Sequence, residues 1–90
     1  MQLTGTVTNT TITAGGTAQL IPVSNVWQQA IIQNNSAGDL WIQFNGTAAI
    51  DAGIRIPTLV TWTSPVGIGL RGPISIIGAT TGQKFSHFIK

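Results

Sequence analysis

The chain has no cysteine and no tyrosine, a single histidine, and only two acidic residues, Asp39 and Asp51. Each scarcity excludes some chemistry. Without cysteine there is neither a disulfide framework nor a thiolate metal site. One His and two Asp do not make a convincing protein cage for a metal, so no metal and no cofactor is expected. Charged residues make up 7% of the chain, against about 25% in typical soluble domains. Polarity comes instead from Thr, Asn, Gln and Ser. A free monomer usually keeps itself soluble with charge, so a nearly uncharged surface is better tolerated when neighbours cover it. The net charge of +2 comes from four basic and two acidic side chains, and the high pI reflects missing acids rather than a basic patch. Arg55, Arg71, Lys84 and Lys90 are scattered, which argues against a nucleic-acid partner. No apolar run approaches the length of a membrane-spanning helix, and the N-terminal MQLTGTVTNT has no signal-peptide core. The expectation is a protein made in a cytoplasm, with no membrane partner.

At 90 residues the chain is one small domain, burying only roughly 60% of its unfolded surface. Small domains without staples often gain stability by oligomerising. No window shows helical periodicity, and turn signals recur at about ten-residue spacing, the pattern of an all-β domain. The fold class expected is all-β: an antiparallel β-sandwich or small jelly roll of about eight short strands. Residues 1–13 read as an N-terminal strand or arm, and 14–90 as a single β-sandwich domain.

The most informative stretch is 30–46, AIIQNNSAGDLWIQFNG. Leu40, Ile42 and Phe44 alternate with Trp41 and Gln43, so the first three share one strand face. In the preceding strand, over 26–33, Val26, Ala30 and Ile32 share one face and Trp27, Gln29, Ile31 and Gln33 the other. A three-residue hairpin loop, Ser36-Ala37-Gly38 with Gly38 left-handed, would pair Asn35 with Asp39, Ile32 with Ile42 and Ala30 with Phe44. That register puts the apolar residues of both strands on one face, whereas a loop one residue longer or shorter mixes the faces. It sets Trp41 opposite Ile31 on the outer face, near Trp27. Either a second sheet or the N-terminal segment covers these residues, or they anchor a subunit interface, as aromatic residues often do. The interface candidates are Trp41, Trp27, Ile31, Gln29 and Gln43.

Along the rest of the chain, Ala14-Gly15-Gly16 reads as a turn and 17–23 as a strand that Pro22 places at a sheet edge or ends. Asn45-Gly46 is a turn pair, and Ile50 in the following loop is a candidate core plug. Residues 54–56 form a short strand ended by Pro57. Residues 59–63 read as a strand with Val60 and Trp62 on one face, Trp62 being core. The glycine-alternating 66–72 suits a strand closely approached by another backbone, and it is not a phosphate loop because no GK[ST] or helix follows. Residues 74–79 are a strand, Thr80-Thr81-Gly82-Gln83 a turn, and 84–90 the last strand.

No catalytic constellation emerges. Ser86 adjoins His87 in a strand and so points to the opposite face; His87 reads as a surface or interface histidine rather than a base. Asp39 and Asp51 sit at turns, where Asp bonds its own backbone, and this accounts for them without acid catalysis or Ca²⁺ binding. The sequons at Asn9, Asn34 and Asn45 read as accidents of composition. Trp41, Gln43, Gln29 and Trp27 could form a sugar platform, although pairing between subunits explains the same residues without a ligand.

The run IIQNNSAGDLWIQFNG, then the G-x-R-I-P step of Gly53, Arg55, Ile56 and Pro57, then LVTWTSP and ISIIGATTGQKF, resembles small virion proteins of tailed bacteriophages. The likeness covers 26–85. It implies a capsid cement or decoration protein: a small β-sandwich or jelly-roll module, homotrimeric, that bridges major capsid proteins on the virion surface and stabilises them. No catalytic or cofactor-binding residue is implied. A tail or head–tail component and a carbohydrate-binding module for host attachment are the alternative readings.

Overall fold

A computed structural model describes residues 7–21, 29–64 and 73–89. Among them are eight strands and no helix: β1 (Thr8–Thr11), β2 (Gln19–Ile21), β3 (Ala30–Asn34), β4 (Leu40–Phe44), β5 (Ile54–Ile56), β6 (Thr61–Thr63), β7 (Ile74–Gly78) and β8 (Lys84–Ile89). They form two four-stranded antiparallel sheets, in the orders β1-β8-β3-β6 and β2-β7-β4-β5. The pairs β1·β8, β2·β7, β3·β6 and β4·β5 are all hydrogen-bonded. This is a single ribbon of two halves folded back on itself and wrapped into a sandwich, with β8·β3 and β7·β4 closing each sheet. Such a wrapping is the jelly-roll arrangement.

The core follows from two-residue alternation. Ala30, Ile32 and Phe85 from the first sheet meet Ile21, Leu40, Ile42, Ile56, Ile74 and Ile76 from the second, all buried, and Ile12 joins them from the β1–β2 connection. Phe44 and Trp62 rest on the rim of this core with ring centroids 5.5 Å apart. Seven isoleucines among these residues suit a pleated surface, where β-branched side chains pack well. The edge strands β2, β5 and β6 are three residues long, while the central β3, β4, β7 and β8 have five or six. Short edges limit the open backbone that each sheet offers.

The expected β3–β4 hairpin does not form. β3 pairs with β6 and β8, and β4 pairs with β5 and β7, so 35–39 crosses from one sheet to the other as an arch. Ile32 and Ile42 do face a common core, but across the sandwich rather than side by side in one sheet. Gly38 is not left-handed; among the described residues the positive-φ glycines are Gly16, Gly53 and Gly82. Alternation sets which residues are buried, and it cannot distinguish a hairpin from an arch, because both bring the two apolar faces to one core. Three smaller expectations also change. β6 starts at Thr61, leaving Leu59 and Val60 exposed in the preceding turn. Ile50 is exposed, and Ala48 is the buried residue of its loop. His87 is buried, facing the sandwich interior from β8. The glycine-alternating 66–72 and the arm residues 1–6 lie outside the described residues.

Candidate functional site

Strand directions gather four sheet-crossing connections, 12–18, 35–39, 57–60 and 79–83, at one end of the sandwich. Asn34, the last residue of β3, holds this end together. It has no exposed surface. Its Nδ2 donates to the carbonyls of Gly38 and Ile56, each at 2.8 Å. Its Oδ1 accepts from the Ser36 amide at 2.9 Å and the Ser36 hydroxyl at 2.7 Å. One side chain thus closes the 35–39 arch upon itself and ties it to the end of β5. Gln83 does similar work from the β7–β8 connection. Its Nε2 donates to Ser36 Oγ at 3.0 Å and to the Asp39 carbonyl at 3.3 Å, and its Oε1 accepts from the Thr80 amide at 3.0 Å. Its carbonyl accepts from the Ile12 amide at 2.8 Å, and the Gly82 amide donates to the Ile12 carbonyl at 2.8 Å. Gly15 packs so closely on Ala79 and Thr81 that a Cβ would lie 2.6 Å from the Ala79 oxygen. Among the described residues, no buried side-chain nitrogen or oxygen lacks a partner. The polar groups of this end are consumed internally, which is the condition under which a buried network stabilises a fold. The Ser36-Ala37-Gly38 turn was legible in the sequence; that Asn34 before it is a buried strut was not.

The residues proposed as one interface patch are dispersed. Ile31 lies on the outer face of the first sheet, opposite Thr63 and Phe88. Trp41 and Gln43 lie on the outer face of the second, where Trp41 pairs with Arg55 and Ile77. Because the connection is an arch, Trp41 and Ile31 point away from each other on opposite sides of the sandwich. Trp41 is 9% exposed, packed with Ile77 and Ala48 and partly with Ala18. The loop after β4 covers it, pinned by the Ala48 amide donating to Ser75 Oγ at 2.9 Å. Gln43 is exposed, and Gln29 is half-buried just before β3. Trp27 lies outside the described residues. An indole covered by its own chain cannot stack on a sugar, and Gln29 precedes a strand of the first sheet while Gln43 lies in the second, so the described part of the sugar platform is not assembled.

The titratable groups are equally dispersed. Asp39 follows the arch and meets Arg55 across 3.8 Å, both partly exposed. Asp51 sits in the loop at the opposite end, left-handed at φ 61° in a turn closed by Ala52 N to Ala49 O. No group of three or more His, Cys, Asp and Glu converges among the described residues. Burial pushes the His87 pKa below its ordinary value, so the ring is a neutral core-edge group at pH 7. Asn34 is too buried to accept a glycan. No helix among the described residues is long and apolar enough to cross a membrane.

What remains open is the perimeter. β1 and β2 line one lateral edge of the sandwich, and β5 and β6 the other. The first edge holds a cleft of about 260 Å³ bounded by Thr8, Thr10, Leu20, Ile21, Phe85 and His87. The second carries Leu59 and Val60 on the β5–β6 arch, with Leu59 70% exposed. Neither feature was signalled by periodicity: Leu59 looks like a strand residue, and a cleft between two edge strands requires the topology. In comparisons with protein-family models, curated proteins and solved structures, no match to this chain was found.

Proposed function

We propose that this protein is a non-enzymatic structural subunit of a tailed-phage virion, a capsid cement or decoration protein that bridges major capsid proteins as a homotrimer on the capsid surface. The observation that carries this reading is the perimeter of the jelly roll. Large apolar side chains stand exposed at both edges, Leu20 at 64% and Leu59 at 70%, on a chain with only six charged residues. Exposed apolar groups on a sparsely charged surface are the features expected of a surface that ends up against other proteins. The internal use of Asn34, Ser36 and Gln83 supports the same reading, since polar side chains that brace the fold are not free for chemistry. Trp41 contributes by fixing a loop over the second sheet rather than by touching a neighbour. The resemblance of 26–85 to small phage virion proteins supplies the choice of partner.

The test has two parts. Light scattering during size exclusion gives the mass in solution, and three times the 9.4 kDa chain is expected. Co-sedimentation with empty capsids of a tailed phage is then expected to retain the protein, and virion fractions to carry it on heads rather than tails. A monomer that neither sediments with capsids nor occurs in virion fractions overturns the assignment. A change in Trp fluorescence on adding sugars would favour host attachment instead.

A further inference from the structure

We infer that copies of this chain join edge to edge, with Leu59 and Val60 of one copy seated in the β1–β2 cleft of the next. The argument starts from a conformational anomaly. Four turns close with an amide-to-carbonyl bond from their fourth residue to their first: Ala14–Thr17, Ala49–Ala52, Pro57–Val60 and Thr80–Gln83. In each, the third residue has positive φ: Gly16 at 78°, Asp51 at 61°, Leu59 at 63° and Gly82 at 89°. Glycine takes this conformation freely, and Asp tolerates it through local hydrogen bonds. Leucine gains nothing there and suffers a steric penalty. Its side chain is 70% exposed, so among the described residues no core contact repays the strain. Strained backbone persists where something outside the local segment makes use of it. Here the strain holds a large apolar side chain, with Val60 at 43% exposure beside it, outward from the arch.

The complementary surface is on the same molecule. The β1–β2 cleft is lined by Leu20, by the edges of Ile21 and Phe85 and by His87, with an uncharged polar rim of Thr8, Thr10 and Gln19. Its roughly 260 Å³ leaves room for a leucine side chain, and among the described residues no Asp, Glu, Lys or Arg lines it. Because β5–β6 and β1–β2 end opposite sides of their sheets, projection and cleft cannot meet within one copy. Nor are they the same patch, so the contact is head-to-tail, and repeated by rotation it closes a ring. This deepens the assembly reading above, on which it rests for the premise that copies associate; it makes no use of the capsid.

The experiment is mutual complementation, read as mass by light scattering. Leu59→Gly removes the projection and relieves the strain. Leu20→Arg blocks the cleft from an exposed position. Each variant alone is expected to run as a monomer at concentrations where the wild type is assembled. An equimolar mixture is expected to form a dimer, since one intact projection and one intact cleft remain. Diluted to monomer, Leu59→Gly should melt no lower than wild type, and Leu59→Asn, which tolerates positive φ, should also fold and stay monomeric. A wild-type oligomer unchanged by either substitution, or a mixture that stays monomeric, overturns this contact and leaves the assembly reading standing. A wild-type monomer overturns the contact, and its binding to empty capsids then decides the assembly reading separately.

Discussion

Two arches cross between the same two sheets at the same end of the sandwich, and they are built in opposite ways. The 35–39 arch turns its polar groups inward: Asn34, Ser36 and Gln83 satisfy one another and the surrounding carbonyls. The 57–60 arch turns apolar groups outward and keeps a leucine in a conformation that suits glycine. In a small domain with no disulfide, one crossing has to be fixed from within, and the buried amide network does this. The other is then free to hold a shape that costs stability locally. The difference separates residues that determine the fold from residues available for contact, and in this chain polarity misleads about which is which. The buried strut is an asparagine and the exposed projection is a leucine.

The largest effect on this contrast is expected from Asn34→Ala. The substitution leaves the Ile56 carbonyl without its partner in a buried bond, and the Gly38 carbonyl and the Ser36 amide without theirs in the half-buried arch. Buried groups stranded in this way cost about 1–3 kcal/mol each, partly relieved by relaxation, so a loss of roughly 3 kcal/mol is expected. For a domain of this size that lowers Tm by about 15 °C. Thermal and urea melts check it. A change below about 1 kcal/mol would mean that the arch is held by its backbone alone, and the contrast with 57–60 would lose its basis.

The same contrast explains what could be read from the sequence. Strand positions, the two-sheet class and most of the core were legible because Ile, Leu and Phe alternate with polar residues at the two-residue period of a strand. The turns at Ala14–Thr17 and Thr80–Gln83 were legible because glycine occupies their left-handed positions. The arch was not, because residues 30–46 satisfy the hairpin and the arch equally well. Which one forms depends on β7 and β8, strands far along the chain, inserting beside β4 and β3. Trp41 followed the same logic: it does occupy the outer face, but its cover, Ala48 on a loop pinned to Ser75, has no periodic signal. Leu59 was hidden because Leu-Val-Thr-Trp-Thr reads as one strand, and only its backbone angle sets it apart.

A smaller effect, located away from the arches, is expected from pH. Burial lowers the His87 pKa in the folded state below its ordinary 6.5. Below pH 6.5 the unfolded chain therefore binds a proton more readily than the folded one, and folding stability falls as pH drops through that value toward the folded pKa. Above it His87 is neutral in both states and contributes no pH dependence. The groups facing it, Thr8 on β1 and Ile32 on β3 with Phe85 on its own strand, carry no charge that could offset this. Melts at pH 7.5 and pH 5 are expected to differ in the wild type and to converge in His87→Phe. Convergence would place the acid sensitivity at the β1–β2 edge and leave the amide-braced end indifferent to pH. An unchanged difference would remove His87 as the source of the acid sensitivity.

The smallest effect is expected between the two arches themselves. Asp39 leaves the first and Arg55 approaches the second, and their charged atoms are 3.8 Å apart. It would be natural to credit this ion pair with holding the crossings together. Both side chains are substantially exposed, at 61% for Arg55 and 37% for Asp39. Water and salt screen such a pair, and ordering a long arginine offsets part of the gain, leaving about 0–1 kcal/mol. Arg55→Ala is therefore expected to shift Tm by no more than a few degrees, and raising the salt concentration to leave the wild type nearly unchanged. A shift approaching that of Asn34→Ala would show that charge rather than the buried amide registers the arches, reversing the assignment of roles between Asn34 and its charged neighbours.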